Sequence, residues 1–239
     1  MFALRSLLTI GVFCISCVIA GEKKACDFED SKCLTEAARR VFVQIVSGIP
    51  GVEPSDPLHE DLIEAEIPSV NYTIIDGYLS GMKRCQVDLV KINTKDQKYD
   101  YHVGCPHLVL ESGYELKAET GTKIVEGKGT SRIDLHVYHL LFHGDFAIIE
   151  GKEGKMHLKL KSHELELKVK GKVRYHYKDF FIDDKEKSDA LKKYANENWE
   201  SVVKMTLQPV MEAFMNKHIS NKNAYLAIVP IQNIFYSEK

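Results

Sequence analysis

Between Ser188 and Ile219 the apolar residues fall at Leu191, Tyr194, Ala195, Trp199, Val202, Val203, Val210 and Phe214, a spacing that predicts one long amphipathic helix. Lys192, Lys193, Asn196, Glu197, Glu200 and Lys204 fill the other face, so the apolar stripe needs a surface to cover it. Ser188 is a suitable N-cap, with Asp183, Asp184, Glu186 and Asp189 around the positive end of the helix dipole and Lys217 and His218 in the closing turn. Pro209 removes one backbone donor and predicts a bend in the second half. Trp199, the chain's only tryptophan, sits mid-stripe and is expected to face inward as a core ring.

A second helix is predicted from Asp30 or Ser31, because Leu34, Ala37, Ala38, Val41, Phe42, Ile45 and Val46 recur at helical spacing. It ends at Gly48, with Pro50 just beyond. From Leu58 to about Ile182 the pattern changes to short alternating runs broken by Gly, Asn and Asp, the mark of antiparallel strands. Ile133, Leu135 and Val137 are expected on one face, and Asp134, His136 and Tyr138 on the other. Met156, Leu158 and Leu160 alternate with Lys155, His157, Lys159 and Lys161, and Leu165, Leu167, Val169, Val173 and Tyr175 alternate with Glu166, Lys168, Lys170 and Arg174. One face is therefore dry and the other charged, with a turn or bulge at Lys161 to Glu164 where the parity breaks. The basic outer face could meet an acidic membrane or a receptor, and a solvated sheet face explains it more simply. Such a sheet hides its dry face by wrapping around the two helices. This layout is similar to the elongated tubular lipid-binding architecture, and an apolar seam left between helix and sheet would be a ligand tunnel.

Residues 1–20 read as a secretory signal peptide: Arg5 precedes an apolar run from Leu7 to Ala20, with small residues before Gly21. That run is short for a bilayer, which needs about 20 apolar residues, so no integral membrane span is expected. Residues 21–239 then form a single domain, and the 44% apolar fraction can build a sizeable core. Once Cys14 and Cys17 leave with the signal, Cys26, Cys33, Cys85 and Cys105 remain, an even number in an oxidising compartment. Cys26 and Cys33 lie close enough to clip the N-terminal arm to the first helix, and Cys85 and Cys105 sit on runs joined near Asn93 to Asp96. Pairings Cys26–Cys33 and Cys85–Cys105 are expected. Asn71-Tyr72-Thr73 is a glycosylation acceptor sequence. A net charge of -2 without aromatic-basic interleaving argues against nucleic acid as a partner.

Catalytic and cofactor motifs occur only as fragments. Gly77-Tyr78-Leu79-Ser80-Gly81 has its serine one place too late for a nucleophile elbow. His59-Glu60 and His163-Glu164 lack the second histidine of a zinc-protease helix. Gly127-Lys128-Gly129 lacks a third glycine and a following helix, so it reads as a turn and not a phosphate cradle. His139 and His143 are placed on the apolar face of their run, as hydrogen-bonded histidines or as contacts to a metal or ligand. No enzyme activity, cofactor or metal is expected.

Particular residues carry a closer resemblance. Cys26 and Cys33 before the first helix, Gly48-Ile49-Pro50, Asp56-Pro57-Leu58, the Gly77 to Gly81 segment, Pro106-His107-Leu108 leading to Tyr114, Gly127-Lys128-Gly129, Asn198-Trp199, and Ile228-Val229-Pro230 before Phe235 together resemble the takeout and juvenile hormone binding protein family of insects. The order and spacing of these motifs span nearly the whole chain. The hormone carriers' second disulfide reaches the later half of the chain, whereas here no cysteine follows Cys105; takeout-like members usually have only the first.

The resemblance implies an α+β fold in which a long antiparallel sheet wraps a long C-terminal helix, with a short N-terminal helix. It also implies a secreted, extracellular carrier holding a small hydrophobic ligand, a terpenoid such as juvenile hormone or a fatty acid-like molecule, in an internal tunnel. The alternative is a secreted signalling or interaction protein with a filled core. From the helix stripes, Phe42, Ile45, Trp199, Val203, Val210 and Phe214 are core residues of which a few border any cavity. Tyr114, Tyr138 and His139 are candidate polar anchors.

Overall fold

The computed structural model describes residues 24–67, 70–120, 123–151, 154–178 and 185–237. The expected signal peptide, and Ile182, Asp183 and Asp184 ahead of the long helix, lie outside these residues.

Helix α1 (Ser31–Ser47) begins where the capping chemistry places it: the Asp30 carboxylate accepts from the Cys33 backbone N–H at 3.0 Å. It buries Leu34, Ala37, Phe42, Ile45 and Val46, the stripe read from the sequence, and the chain leaves it at Gly48 with φ 78°, a conformation that suits glycine.

Two very long strands form the spine of the sheet. β5 (Lys98–Thr120) and β6 (Lys123–Glu150) pair antiparallel along their whole length. On one side β5 is joined by β4 (Gln86–Asn93) and then by β3 (Val70–Ser80), whose other edge carries β2 (Leu58–Ile67). On the other side three short strands follow one another down β6: β7 (Met156–Leu160) on Phe146 to Glu150, β8 (Glu164–Val169) on Tyr138 to His143, and β9 (Val173–Lys178) on Thr130 to Leu135. The result is a curled half-barrel of antiparallel strands with a long C-terminal helix and a short N-terminal helix, as the alternation and the family resemblance implied. Gly127 and Gly129 lie inside β6, opposite Leu116 and Tyr114; they are strand residues and not the turn expected, because the ladder needs no reversal there.

The pleat of β6 is reset at Val137. Cys105 pairs with Tyr138 and His107 with His136 in one continuous register, and the Pro106–Val137 pair between them is missing from the ladder. Val137 has φ 51°, and Pro106 has no N–H to give to the ladder. Ile133 and Leu135 point inward on one side of this point; Tyr138, Leu140 and Phe142 point inward on the other, and Val137 is exposed. The expected grouping of Val137 with Ile133 and Leu135, and of Tyr138 with the outer residues, is thereby reversed. His139 and His143 move with it to the outer face: His143 Nδ1 lies 2.6 Å from Asp100 and His139 Nδ1 3.5 Å from Asp88. In β7 the expected alternation also shifts. Met156 is exposed and His157 buried, its Nδ1 2.9 Å from the Leu226 carbonyl oxygen.

The predicted single C-terminal helix is two. α2 (Lys185–Glu197) ends at Asn198, whose φ of -111° and ψ of 28° break the helix, and α3 (Trp199–Ile228) starts there. Tyr194, expected on the dry stripe, is consequently exposed. α3 does not close at Lys217 and His218. It runs on with His218, Asn221, Lys222, Tyr225 and Leu226 all buried; Asn221 donates to the Pro54 carbonyl and the Ser55 hydroxyl and Tyr225 to the Gln44 side chain of α1, while His218 and Lys222 lie among apolar and aromatic side chains. Pro209 lies inside α3.

Side-chain amides fasten the helices to the sheet edge. Asn196 of α2 accepts from the Tyr175 N–H and donates to the Tyr175 carbonyl, at 3.0 and 2.9 Å. Asn223 of α3 does the same for Leu160, at 2.9 and 3.0 Å. Gln208 donates to the Leu165 carbonyl, and on the opposite edge Lys217 donates to the His59 carbonyl of β2. α3 thus spans the open side of the half-barrel. No helix among the described residues is long and apolar enough to cross a membrane.

Both expected disulfides form, Cys26–Cys33 and Cys85–Cys105. The second bridges the hairpin next to the Gln86–Gly104 pair. The first sits beside a small ladder between β1 (Lys24–Ala25) and β10 (Tyr236–Ser237), which straps the C-terminal tail across α1. Arg40 reinforces the strap, donating to the Tyr236 carbonyl with its guanidinium over the Tyr236 ring.

Candidate functional site

Strand alternation and the α1 stripe converge at one end of α3. Val90 and Ile92 of β4, Tyr99 and Tyr101 of β5, and Leu158 and Leu160 of β7 are same-face residues two apart, so each pair points inward. They enclose a slot with Ala38, Val41, Phe42 and Ile45 of α1, Leu226 of α3 and, held by the C-terminal strap, Phe235. The space between the lining atoms totals about 580 Å³ up to the open mouth, of which about 60 Å³ admits the centre of a water-sized sphere. It is a narrow, almost wholly apolar slot.

Lys222 is the exception in its lining. Its side chain is 9% exposed, and Nζ stands 3.0 Å from the centroid of the Tyr101 ring. Burial holds the amine well below its ordinary range. The Tyr101 hydroxyl is buried without a hydrogen-bond partner among the described residues, and burial, with the neighbouring Tyr99, pushes it up. One turn before Lys222, His218 is fully buried between Phe42 and Phe142 with both ring nitrogens unpartnered. Burial, aided by Lys222, lowers it to about 3, so it is neutral at physiological pH. Tyr99 is satisfied, donating to the Ser162 carbonyl at 3.2 Å.

A second space opens at the other end of α3, a cleft against β8 lined by Tyr138, Leu167, Val169, Trp199 and Val203, with Glu200, Lys204 and Gln208 at its rim. The Tyr138 hydroxyl is buried there without a partner among the described residues. Leu207, Val210, Met211, Phe214 and Met215, all fully buried, form the α3 stripe between the positions that line the two spaces.

The expected site residues therefore separate. Phe42 and Ile45 line the slot, and Tyr138, Trp199 and Val203 line the cleft. Trp199 is half-buried and not sealed as a core ring, because the break at Asn198 puts it in the first turn of α3, beside the short strand β8. Val210 and Phe214 are packed in the core, Tyr114 is buried within a cluster with Tyr72 and Tyr177, and His139 is on the outer face. Lys222, Tyr101 and Phe235 were not among the expected residues. The signal for Lys222 was its place four residues before Leu226 and four after His218, on a stripe read as having already ended.

The model of the haemolymph juvenile hormone binding protein family matches residues 8–236. The crystal structure of Epiphyas postvittana Takeout 1 is similar, with a TM-score of 0.81 and 27% identity over 88% of this chain and 98% of that one. A lipopolysaccharide binding protein aligns with a TM-score of 0.42 and 10% identity over 82% of this chain and 38% of its own, a likeness that carries no argument. No curated protein sequence matches the chain. With a family model running through both helical stripes, the spine of the sheet and the C-terminal strap, the chain belongs to the haemolymph juvenile hormone binding protein family.

Proposed function

We propose that the protein is a secreted, non-enzymatic carrier that holds a small hydrophobic ligand, terpenoid or fatty acid-like, in the slot between α1, α3 and the sheet. The observation that carries this reading is the lining of the slot, whose walls are apolar and aromatic side chains from α1, α3, the sheet and the C-terminal strap with a single amine among them. Family membership and the likeness to Takeout 1 support it. The leader-like pattern of residues 1–20, and two disulfides of the kind that persist in oxidising compartments, support secretion. Asn71, exposed on β3, is the acceptor that route would glycosylate. Burying about 300 Å² of apolar ligand at about 25 cal/mol/Å² is worth on the order of 7 kcal/mol before ordering costs, enough for micromolar binding.

The space that admits a water-sized centre is small beside the roughly 300 to 1,000 Å³ of ordinary ligand pockets, so binding requires the walls to part. The test is a titration of delipidated protein with N-phenyl-1-naphthylamine, a neutral apolar fluorophore, beside native mass spectrometry of the undelipidated protein. Saturable enhancement at micromolar concentration, and a co-purified apolar mass, are the expected results. Absence of both would favour the other reading, an interaction protein whose core is filled.

A further inference from the structure

We propose that the slot takes an amphiphile with a single carboxylate head, which pairs with Lys222 Nζ and accepts a second hydrogen bond from the Tyr101 hydroxyl while its hydrocarbon body lies along Phe42, Leu158 and Phe235. The proposal rests on the carrier reading above and specifies its ligand class.

Lysine is among the residues least often buried unless paired, and Lys222 is 9% exposed. Among the described residues it makes no salt bridge and no hydrogen bond; its partner is the face of the Tyr101 ring. The Tyr101 hydroxyl is also buried and unpartnered. Both residues line the same slot. Asn221, Asn223 and Tyr99 are committed elsewhere: Asn221 to Pro54 and Ser55, Asn223 to Leu160, and Tyr99 to Ser162. For folding alone a methionine would fill this position without the cost of a buried amine. An amine and a hydroxyl that lack partners at one point of an otherwise apolar wall complement a molecule with one polar end.

The head is a carboxylate on grounds of charge and donors. One cation balances one negative charge, and the ammonium and phenol supply donors to a group that only accepts. An alcohol or ester brings no negative charge to stabilise the ammonium form. The titratable groups that face the amine are Tyr99 and Tyr101 of β5 and His218 of its own helix, while α1, β4 and β7 present Phe42, Val90 and Leu160, with no charge. Burial holds the free amine well below its ordinary range, so pairing with a carboxylate taken from water raises its affinity for a proton and favours proton uptake from solvent.

The experiment uses the delipidated protein with residues 21–239 and measures displacement of N-phenyl-1-naphthylamine by lauric acid, dodecanol and methyl laurate. Lauric acid is expected to compete at least about tenfold better than the other two, the effect of one hydrogen bond to a charged group. Lys222→Met is expected to lose that preference, read as the ratio of acid to alcohol displacement so that any change in fluorophore affinity cancels, and Tyr101→Phe to reduce it several-fold. Calorimetry in two buffers of different ionisation enthalpy should show more proton uptake per lauric acid by the wild type than by Lys222→Met. Fluorophore binding without a preference for the acid, or a preference that survives Lys222→Met and Tyr101→Phe, overturns this inference and leaves the carrier reading standing. No fluorophore binding at all removes both. Borohydride trapping of a dodecanal adduct at Lys222, with no acid preference, would assign the amine to aldehydes and also overturn it.

Discussion

Replacing His218 with leucine removes a titratable ring from the centre of the core and should change how stability depends on pH. The ring is fully buried between Phe42 and Phe142 with both nitrogens unpartnered, and its pKa is lowered from 6.5 to about 3 by burial first and by Lys222 second. Between those values the unfolded chain binds a proton that the folded chain refuses. Stability therefore rises with pH through this window, and its loss grows as pH falls below about 6.5. At about 1.4 kcal/mol per pH unit, the group alone should cost the folded state about 2 kcal/mol on going from pH 7 to about pH 5. His218→Leu lacks this term. It also exchanges two unsatisfied nitrogens for methyl groups of similar volume, so at pH 7 the variant should lie within about 1 kcal/mol of wild type, on either side. Urea unfolding followed by far-ultraviolet circular dichroism at both pH values provides the comparison. The informative quantity is the difference between the two proteins in their loss from pH 7 to 5, because the other titrating groups contribute equally to both. If that difference is below about 0.5 kcal/mol, His218 does not titrate as a buried neutral ring, and the reasoning from its burial is wrong.

Other perturbations test the fold around the site. Asn223→Ala strips partners from both main-chain groups of Leu160 and should cost about 1 to 3 kcal/mol in urea unfolding, with no change in fluorophore chemistry. Replacing Cys85 and Cys105 together by serine opens a link between residues 20 apart and should cost about 2 to 4 kcal/mol, while circular dichroism stays that of the native sheet because the β4–β5 ladder is intact. Trp199→Ala should cost about 2 kcal/mol, roughly half the loss of a fully packed ring. The wild-type emission should be partly quenched by acrylamide, whereas complete protection would place the ring in the core after all.

α1 was legible to the residue because its cap, stripe and terminating glycine are all local signals. The sheet and both disulfides followed from alternation and cysteine spacing, which are nearly as local. The face assignments of β6 failed for a tertiary reason: Ile133, Leu135 and Val137 read as one continuous pleat, and only the ladder pair missing opposite Pro106 and the positive φ of Val137 reveal that the pleat is reset there. His139 was misplaced by the same reset. The break at Asn198 has no proline or glycine to announce it, and it set both the exposure of Tyr194 and the shallow position of Trp199. Phe42 and Ile45 reached the slot from a stripe visible in the sequence. Lys222 and Tyr101 did not, since a lysine among asparagines looks like a helix end until the sheet that surrounds it is known.

The amides of Asn196 and Asn223 bear on how such molecules stay apart from one another. Each occupies both main-chain groups of one edge residue, Tyr175 or Leu160, the positions through which a strand from a second molecule would begin to pair. The helices therefore act as stoppers on a template as well as walls of a container. Any motion that lifts α2 or α3 to widen the interior also bares a growing edge, so the protein's tendency to aggregate is coupled to how long its helices remain raised. An occupant that lets them settle would keep the solution clear.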